Sequence, residues 1–153
     1  MQKVIIITIT FMLGIIVIPA NGQDGMEVIQ SQHSVEETTD RLKNILKENG
    51  ITIFQKVNHK EGAAAVNMDL SPTTVLIFGN PKLGTPLMQC AQTTAIDLPQ
   101  KALVWEDSEG ITHIGYNSPE YLKKRHNIEG CDQELNKISK ALDKFTRAAA
   151  GSN

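Results

Sequence analysis

Hydrophobic residues are concentrated at the start of the chain and recur at regular intervals further on. Val4 to Ile18 is an almost continuous apolar run, whereas the later apolar and polar positions alternate with helical or strand periods. The run holds about fifteen residues, fewer than the roughly 20 that a membrane-spanning helix needs. It is therefore a different kind of segment from those that follow it.

The beginning of the chain has the pattern of a secretory signal peptide. Lys3 precedes the apolar run, and the small-residue triplet Ala20-Asn21-Gly22 follows it, which predicts cleavage before Gln23. We therefore expect an exported protein, periplasmic or secreted, that loses residues 1–22 and has no membrane contact after cleavage. An uncleaved signal-anchor helix is the alternative.

The remaining pattern predicts helices that alternate with strands. Ser34 and Glu37 form a capping box and Gly50 stands where a helix ends, which predicts a helix over residues 35–49. The other predicted helices are Ala63–Met68, a helix with Thr85 as N-cap and Pro86 as first residue, a short helix from Ser118-Pro119 to His126, and an amphipathic helix at about residues 132–148.

Five segments have the character of strands: residues 26–32, 51–57, 74–78, 101–107 and 111–116. The continuous apolar run Thr74–Phe78 predicts a central strand that is covered on both faces. The fold class expected from these elements is α+β. We expect a single two-layer domain over residues 23–153, with a mainly antiparallel sheet of four or five strands and helices packed on it.

A series of short motifs resembles the domain of unknown function 302 family. The motifs are Ser34–Thr38, Phe78–Met88, Ile96–Pro99, Leu103–Asp107 and Arg125-His126, and they follow the family's order over about residues 28–128. The resemblance implies an α+β fold and a homodimer, and it brings no established activity. Asn58-His59 stands where the family has Asp-His, which removes a carboxylate from any site centred on this histidine.

Charge and sequence motifs exclude several classes of function. The 153 residues include 15 basic and 17 acidic side chains, a formal net charge of −2 that becomes −3 when Lys3 leaves with the signal peptide. This balance gives no electrostatic reason to expect a nucleic acid as a partner. The sequence has no nucleophile elbow, nucleotide-binding loop or zinc-protease motif, and no cofactor is predicted.

Two cysteines, Cys90 and Cys131, remain in the chain after cleavage. In an exported protein they are candidates for one disulfide, and two separate thiols are the equally open alternative. Their spacing matches no zinc motif, and neither belongs to a CxxC pair. We therefore do not expect thiol-redox catalysis.

The segment Gly79–Thr85 is the predicted ligand-binding loop, because it leads from a strand to the start of a helix. Asn80, Lys82, Gly84 and Thr85 would present backbone N–H groups, a helix dipole and a cation to a small anionic or carboxylate ligand. In the alternative interpretation, the glycines and prolines only shape a tight connection.

Three residues are candidates for acid–base catalysis. His59 stands at a strand-to-helix junction, and Asp97 or Glu106 would be its carboxylate partner. Helix capping is the structural alternative for His59. For Glu106 the alternative is an ion pair with Arg125 or Lys101, since buried charges need partners.

The leading hypothesis is a non-catalytic exported domain that forms a homodimer and binds a small ligand between its sheet and its helices. One alternative is an enzyme that uses the three residues above. Another is a haem- or metal-linked accessory protein of the cell envelope. The four histidines share no ligand spacing, so no metal site is predicted.

Overall fold

The computed structural model of the protein describes residues 25–152. The predicted signal peptide over residues 1–22 lies outside the described residues. Among the helices that are described, none combines the length and the apolar composition needed to cross a membrane.

The described residues form five strands, five α-helices and one short 3-10 helix. In chain order these are β1 (Met26–Gln30), α1 (Val35–Glu48), β2 (Thr52–Asn58), α2 (His59–Ala64), β3 (Thr73–Gly79), α3 (Pro81–Cys90), the 3-10 helix (Gln92–Ile96), β4 (Gln100–Glu106), β5 (Thr112–Asn117), α4 (Pro119–His126) and α5 (Asp132–Ala150).

The five strands form one sheet in the order β1-β5-β4-β3-β2, and each neighbouring pair is antiparallel. A bulge shifts the register of β2 against β3 between Ile53 and Gln55. Helices α1 and α5 contact each other and the strands, so they form the second layer. The α+β class and the antiparallel sheet of five strands are confirmed.

Strand β3 has one buried face and one partly exposed face. Leu76 and Phe78 are buried against the helices, whereas Val75 and Ile77 on the other face are only partly buried. The prediction that this strand is covered on both faces is wrong. Its apolar run is continuous because apolar side chains also occupy this second, open face of the sheet, on which no residue of β3 is fully buried.

The C-terminal helix α5 buries a single apolar stripe. Leu135, Ile138, Leu142 and Phe145 are each at most 8% exposed, and their spacing of three and four residues places them on one face. The helix continues two residues beyond the predicted end, and Gly151 then stops it in the left-handed conformation with φ of 75°.

The ends of the first two helices follow from side-chain caps. Ser34 Oγ accepts a hydrogen bond from the Glu37 N–H group at 3.2 Å, so Ser34 is the N-cap as predicted. The Glu37 carboxylate lies 2.8 Å from His33 Nδ1, and the described residues contain no return bond from Ser34 N–H to it, so the second half of the predicted capping box is wrong. The predicted helix Ala63–Met68 is wrong, because the helix begins at His59 and ends at Ala64. Asn58 Oδ1 caps it by accepting from the Glu61 N–H group at 3.3 Å.

A disulfide joins Cys90, the last residue of α3, to Cys131, the N-cap residue of α5. The two Cα atoms are 6.5 Å apart. The sequence leaves open whether the two cysteines form a disulfide or remain separate thiols, and the structure contains the disulfide. The bond fixes the end of α3 beside the start of α5, two helices that also pack against each other.

Candidate ligand site

Helix α3 begins five residues before the position that the sequence pattern predicts. Asn80, rather than Thr85, is its N-cap, and Asn80 Oδ1 accepts from the Lys82 N–H group at 2.9 Å. The prediction of Thr85 as N-cap is wrong because Pro81 already supplies the fixed φ of a first helical residue. Lys82, Gly84 and Thr85 therefore lie in the helix rather than in a loop.

The start of α3 has its backbone donors engaged. The N–H groups of Leu83 and Gly84 both donate to the Asn80 carbonyl, at 2.9 and 3.0 Å. Pro81 has no N–H group, and the Lys82 N–H group is held by the cap. The first turn, which lies wholly within the described residues, thus presents no open N–H group to an anion.

A cavity of about 260 Å³ lies beside this helix, between the sheet and α5. Phe78 and Gln100, which are paired across β3 and β4, belong to its wall on the sheet side. Leu142 and Phe145 of α5 line the opposite side, and Met88 of α3 lines a third. Its size is just below the range of about 300–1,000 Å³ of typical ligand pockets, which suits a small ligand.

The wall of the cavity is almost entirely apolar. No Asp, Glu, Lys, Arg or His contributes to it within the described residues, and its polar side chains are Asn80, Thr85 and Gln100. Gln100 is 8% exposed, and its Nε2 is buried with no hydrogen-bond partner among the described residues. A buried donor without a partner is unusual in a folded protein.

Exposed apolar side chains mark the opening of the cavity. Phe54 on β2 lines the cavity and is 53% exposed. Ile96, which follows the lining residue Ala95, is 72% exposed. Large apolar side chains at the rim of an apolar cavity favour the entry of an apolar molecule.

Sequence reasoning located one wall of this cavity and missed the others. Asn80, Gly84 and Thr85 line it, as do further residues of α3, whereas Lys82 does not. Gln100 was not among the predicted site residues. The sequence signal that could have identified Gln100 is the alternation of side chains between the two faces of β4. This alternation places Gln100 on the same covered face as Ala102 and Val104.

The three candidates for acid–base catalysis do not form one site. His59 is exposed at the start of α2, beside the end of β3 where Asn58 pairs with Thr74. Asp97 lies three residues before Gln100, which pairs with Phe78 on β3. Phe78 is four residues beyond Thr74, so the two positions on β3 are about 13 Å apart. Glu106 is partly buried, and the described residues contain no hydrogen bond or ion pair between His59 and either carboxylate.

Asp97 is paired with His126 instead of His59. Asp97 Oδ2 lies 2.6 Å from His126 Nε2, and the two side chains are 11% and 5% exposed. The other ring nitrogen of His126, Nδ1, lies 3.1 Å from Thr93 Oγ1. Arg125 Nη1 approaches Asp97 Oδ1 at 3.3 Å, so Arg125 pairs with this aspartate rather than with Glu106.

These contacts tie α4 to the 3-10 helix and to the turn that precedes β4. The order Thr93, His126 and Asp97 is that of a hydroxyl, an imidazole and a carboxylate linked by hydrogen bonds. Thr93 does not line the cavity. The cluster therefore connects α4 to the 3-10 helix, whose residue Ala95 lines the cavity.

A second imidazole–carboxylate pair lies on the open face of the sheet. His113 Nε2 is 2.6 Å from Asp107 Oδ2, and the His113 ring stacks on Trp105 with centroids 5.2 Å apart. The hydrogen bond from His113, followed by that from the Ile111 N–H group, holds the pKa of Asp107 below its ordinary value of 3.8. Asp107 also accepts from Glu109, so it closes the β4–β5 turn.

Within residues 25–152, no three His, Cys, Asp or Glu side chains are grouped so that they could hold a metal ion. The imidazole–carboxylate pairs described above are separate from each other, one at α4 and one on the open face of the sheet. The cavity, by contrast, has the size and the apolar lining of a ligand site.

The fold and the cavity together define a small α+β domain with one antiparallel sheet and an apolar ligand-sized site. Residues 27–145 match the family described as "Domain of unknown function DUF302". The chain belongs to this family.

Three relatives named as fluoride-specific ion channels are similar to most of the chain. They are FluC 1 of Brucella suis biovar 1, FluC 1 of Brucella abortus biovar 1 and FluC 2 of Brucella melitensis biotype 1. Each is 38% identical over 128 residues, which are 83% of this chain and 50%, 47% and 47% of the relatives. The chain thus spans about half the length of these relatives.

The fold is also similar to that of a solved structure. The crystal structure of an uncharacterized conserved DUF302 protein from Bacillus stearothermophilus has a TM-score of 0.74 and 21% sequence identity. The match covers 82% of this chain and 98% of the other chain. At this identity the similarity shows a shared fold.

Proposed function

We propose that this protein is a non-catalytic binding domain for a small apolar ligand. The observation that carries the proposal is the cavity of about 260 Å³ between sheet and helices, which has an apolar wall and exposed apolar residues at its rim. Burial of apolar ligand surface in such a site is favourable by roughly 25 cal/mol per Å² before the costs of association. We assign no reaction, because His59, Asp97 and Glu106 lie apart.

Isothermal titration of the purified protein with n-butylbenzene tests this function. We expect binding by the parent protein and at least tenfold weaker binding by Ala141→Phe, because Ala141 lines the cavity and a phenyl group there would fill it. Ala148→Phe is the matched control, since Ala148 is exposed on the same helix. The proposal is wrong if the parent does not bind, or if both variants bind alike.

We also propose that the protein forms a homodimer through the open face of the sheet. One row of residues crosses all five strands on this face: Val28, Gly115, Leu103, Val75 and Val57 are successive cross-strand partners. The row carries no charge, and its middle residue lies on β4, the central strand. A two-fold axis near this residue would place the row against its own copy, which is the geometry of an isologous dimer.

Leu103→Glu is expected to weaken the dimer at least a hundredfold, because it places an unpaired carboxylate at the centre of the proposed interface. Gln133→Glu adds the same charge at an exposed position of α5 and is expected to leave the dimer intact. Sedimentation equilibrium over a range of protein concentrations measures both. A parent protein that is monomeric throughout, or a Leu103→Glu dimer as tight as the control, would contradict the proposal.

The proposed place of action is outside the cytoplasm, in the periplasm or the external medium. The Cys90–Cys131 bond supports this, since structural disulfides persist mainly in oxidising compartments. Half of each Brucella relative lies outside the matched region. For this reason we do not extend their fluoride-channel activity to this chain.

A further inference from the structure

A lysine ammonium group is held at the mouth of the cavity. Lys101 Nζ donates to the backbone carbonyl oxygens of Asp97 at 3.0 Å and of Pro99 at 3.3 Å. Pro99 is an exposed residue of the cavity wall, so the second hydrogen bond places the ammonium group beside the opening. An ammonium group has three N–H donors, and within the described residues the third has no partner.

The ammonium group lies next to an apolar edge of the opening. Gly79 stands between Phe54 and Pro99, since a Cβ atom at Gly79 would meet a carbon atom of each side chain at 3.5 Å. All three residues line the cavity. The hydrogen bonds of Lys101 direct its side chain toward this edge and away from Leu103, the centre of the proposed dimer interface. The opening therefore combines hydrocarbon with one fixed cation.

Positive charge predominates in the part of the chain that forms most of the cavity wall. Residues 71–105 supply β3, α3, the 3-10 helix and most of β4, and their charged side chains are Lys82, Asp97 and Lys101. The Asp97 carboxylate is paired with two basic side chains of α4, whereas the described residues contain no ion pair for either lysine. An anion at the mouth is therefore attracted by cations that have no carboxylate partner.

The interior of the cavity suits an alkyl chain and excludes a charge. None of the described side chains that line it is charged, so a carboxylate inside would lose its hydration without gaining a cation. A carboxylate at the mouth keeps contact with water and reaches the ammonium group. A cavity of about 150 Å³ in another protein core holds benzene, so by proportion about 260 Å³ holds about ten non-hydrogen atoms.

We propose that the protein binds a single-chain anionic amphiphile of the medium-chain fatty acid class. The alkyl chain occupies the apolar cavity, and the carboxylate accepts a hydrogen bond from Lys101 Nζ at the mouth. This inference rests on the proposed binding function and specifies its ligand class. It keeps the carboxylate ligand expected from the sequence and moves its charged contact from the start of α3 to Lys101.

Three probes with the same alkyl chain and different head groups test the ligand class: decanoate, decan-1-ol and decylammonium. Each is titrated at neutral pH and low ionic strength, below its critical micelle concentration. We expect the parent protein to bind decanoate more tightly than decylammonium, because the lysine attracts the first head group and repels the second. Lys101→Met is expected to weaken decanoate binding about three- to tenfold and to leave decan-1-ol binding unchanged.

Two control variants separate the charge of Lys101 from its hydrogen bonds to the backbone. Lys101→Arg keeps the charge and is expected to bind decanoate as the parent does. Lys60→Met removes an exposed cation of α2, beside the other end of β3, and should bind all three probes as the parent does. If Lys101 only fixed the chain around Pro99, its replacement by methionine would weaken decanoate and decan-1-ol binding equally.

A fourth variant locates the alkyl chain. Ala141→Phe fills the cavity and is expected to weaken the binding of all three probes, since Ala141 lines the wall. Decanoate binding that this variant leaves unchanged would place the chain outside the cavity and would overturn the proposal.

The remaining outcomes separate the ligand class from the binding function. Equal effects of Lys101→Met on decanoate and decan-1-ol, or tighter binding of decylammonium than of decanoate, would overturn the ligand class and leave the binding function standing. The same holds if the parent protein binds n-butylbenzene but none of the three probes. A parent protein that binds neither n-butylbenzene nor the probes would overturn the binding function itself.

Discussion

Replacing Cys90 and Cys131 together by alanine is expected to lower the free energy of unfolding by about 4 kcal/mol. The bond joins residues 41 positions apart, so the unfolded chain gains the entropy of an open loop when the bond is removed. This is a large share of the roughly 5–15 kcal/mol that stabilises a typical domain.

Urea unfolding of the double variant, followed by circular dichroism, measures this loss. The parent protein in the presence of a reducing agent is the matched comparison, and it should unfold at nearly the same urea concentration as the variant. Its stability can be lower still, because the thiol of Cys131 is buried and needs more room than the bonded sulfur. A double variant that unfolds with the oxidised parent would show that the bond does not stabilise the fold.

The same change bears on the cavity, because the disulfide holds two of its walls together. Cys90 ends α3 and Cys131 begins α5, and both helices line the cavity. Without the bond, the N-terminal part of α5 is held by the packing of Leu135 and Ile138 and by the ion pair between Asp132 and Lys123 of α4. We therefore attribute to the bond the rigidity of the site as well as the stability of the domain.

Elements whose signals are local were predictable from the sequence. The N-cap at Ser34 and the stripe of apolar residues in α5 each depend on contacts within one helix, and the structure has both. The start of α3 was not predicted, because Asn80 competes as N-cap with Thr85, which also precedes a proline. The start of α2 was not predicted, because its Ala-rich segment begins only at Ala63, whereas the helix begins directly after the Asn58 cap. The cap that is chosen depends on where the preceding strand ends.

The candidate site was only partly predictable for a different reason. Asn80, Gly84 and Thr85 are near each other in sequence, and their motif pointed to one wall of the cavity. Gln100 and Leu142 reach the same cavity from distant parts of the chain. Their proximity is set by the strand order and by the packing of α5, which no short motif encodes.

The pairing of charged groups shows the same limit. The sequence offers Asp97 a choice between His59 and His126, and spacing does not decide between them. In the folded chain α4 packs beside the 3-10 helix, and this brings His126 to 2.6 Å from Asp97. His59 lies in the connection between β2 and β3, next to the start of β3, whereas Asp97 lies near the end of β3.

Leu142→Ala is expected to lower the free energy of unfolding by about 2–5 kcal/mol and to enlarge the ligand cavity. Leu142 is 3% exposed, belongs to the hydrophobic core and lines the cavity. The truncation removes packing contacts, and the neighbouring void keeps the surrounding side chains from closing the gap. Leu76→Ala is the matched control, since Leu76 is fully buried in the core but does not line the cavity.

The two variants should respond differently to n-butylbenzene. A ligand at a hundred times its dissociation constant stabilises a binding-competent protein by about 2.7 kcal/mol. In the Leu142→Ala protein the ligand contacts the enlarged wall, so its dissociation constant is expected to change along with the stability. In the Leu76→Ala protein the dissociation constant should equal that of the parent.

Urea unfolding with and without n-butylbenzene separates the two effects. If the cavity is the binding site, Leu142→Ala changes the increase in unfolding free energy that n-butylbenzene produces, whereas Leu76→Ala leaves this increase unchanged. Without the ligand, both variants have a lower unfolding free energy than the parent. Identical ligand responses in the two variants would place the bound hydrocarbon elsewhere on the protein. The loss of core packing and the change in ligand affinity are thus measured on the same protein by the same unfolding transition.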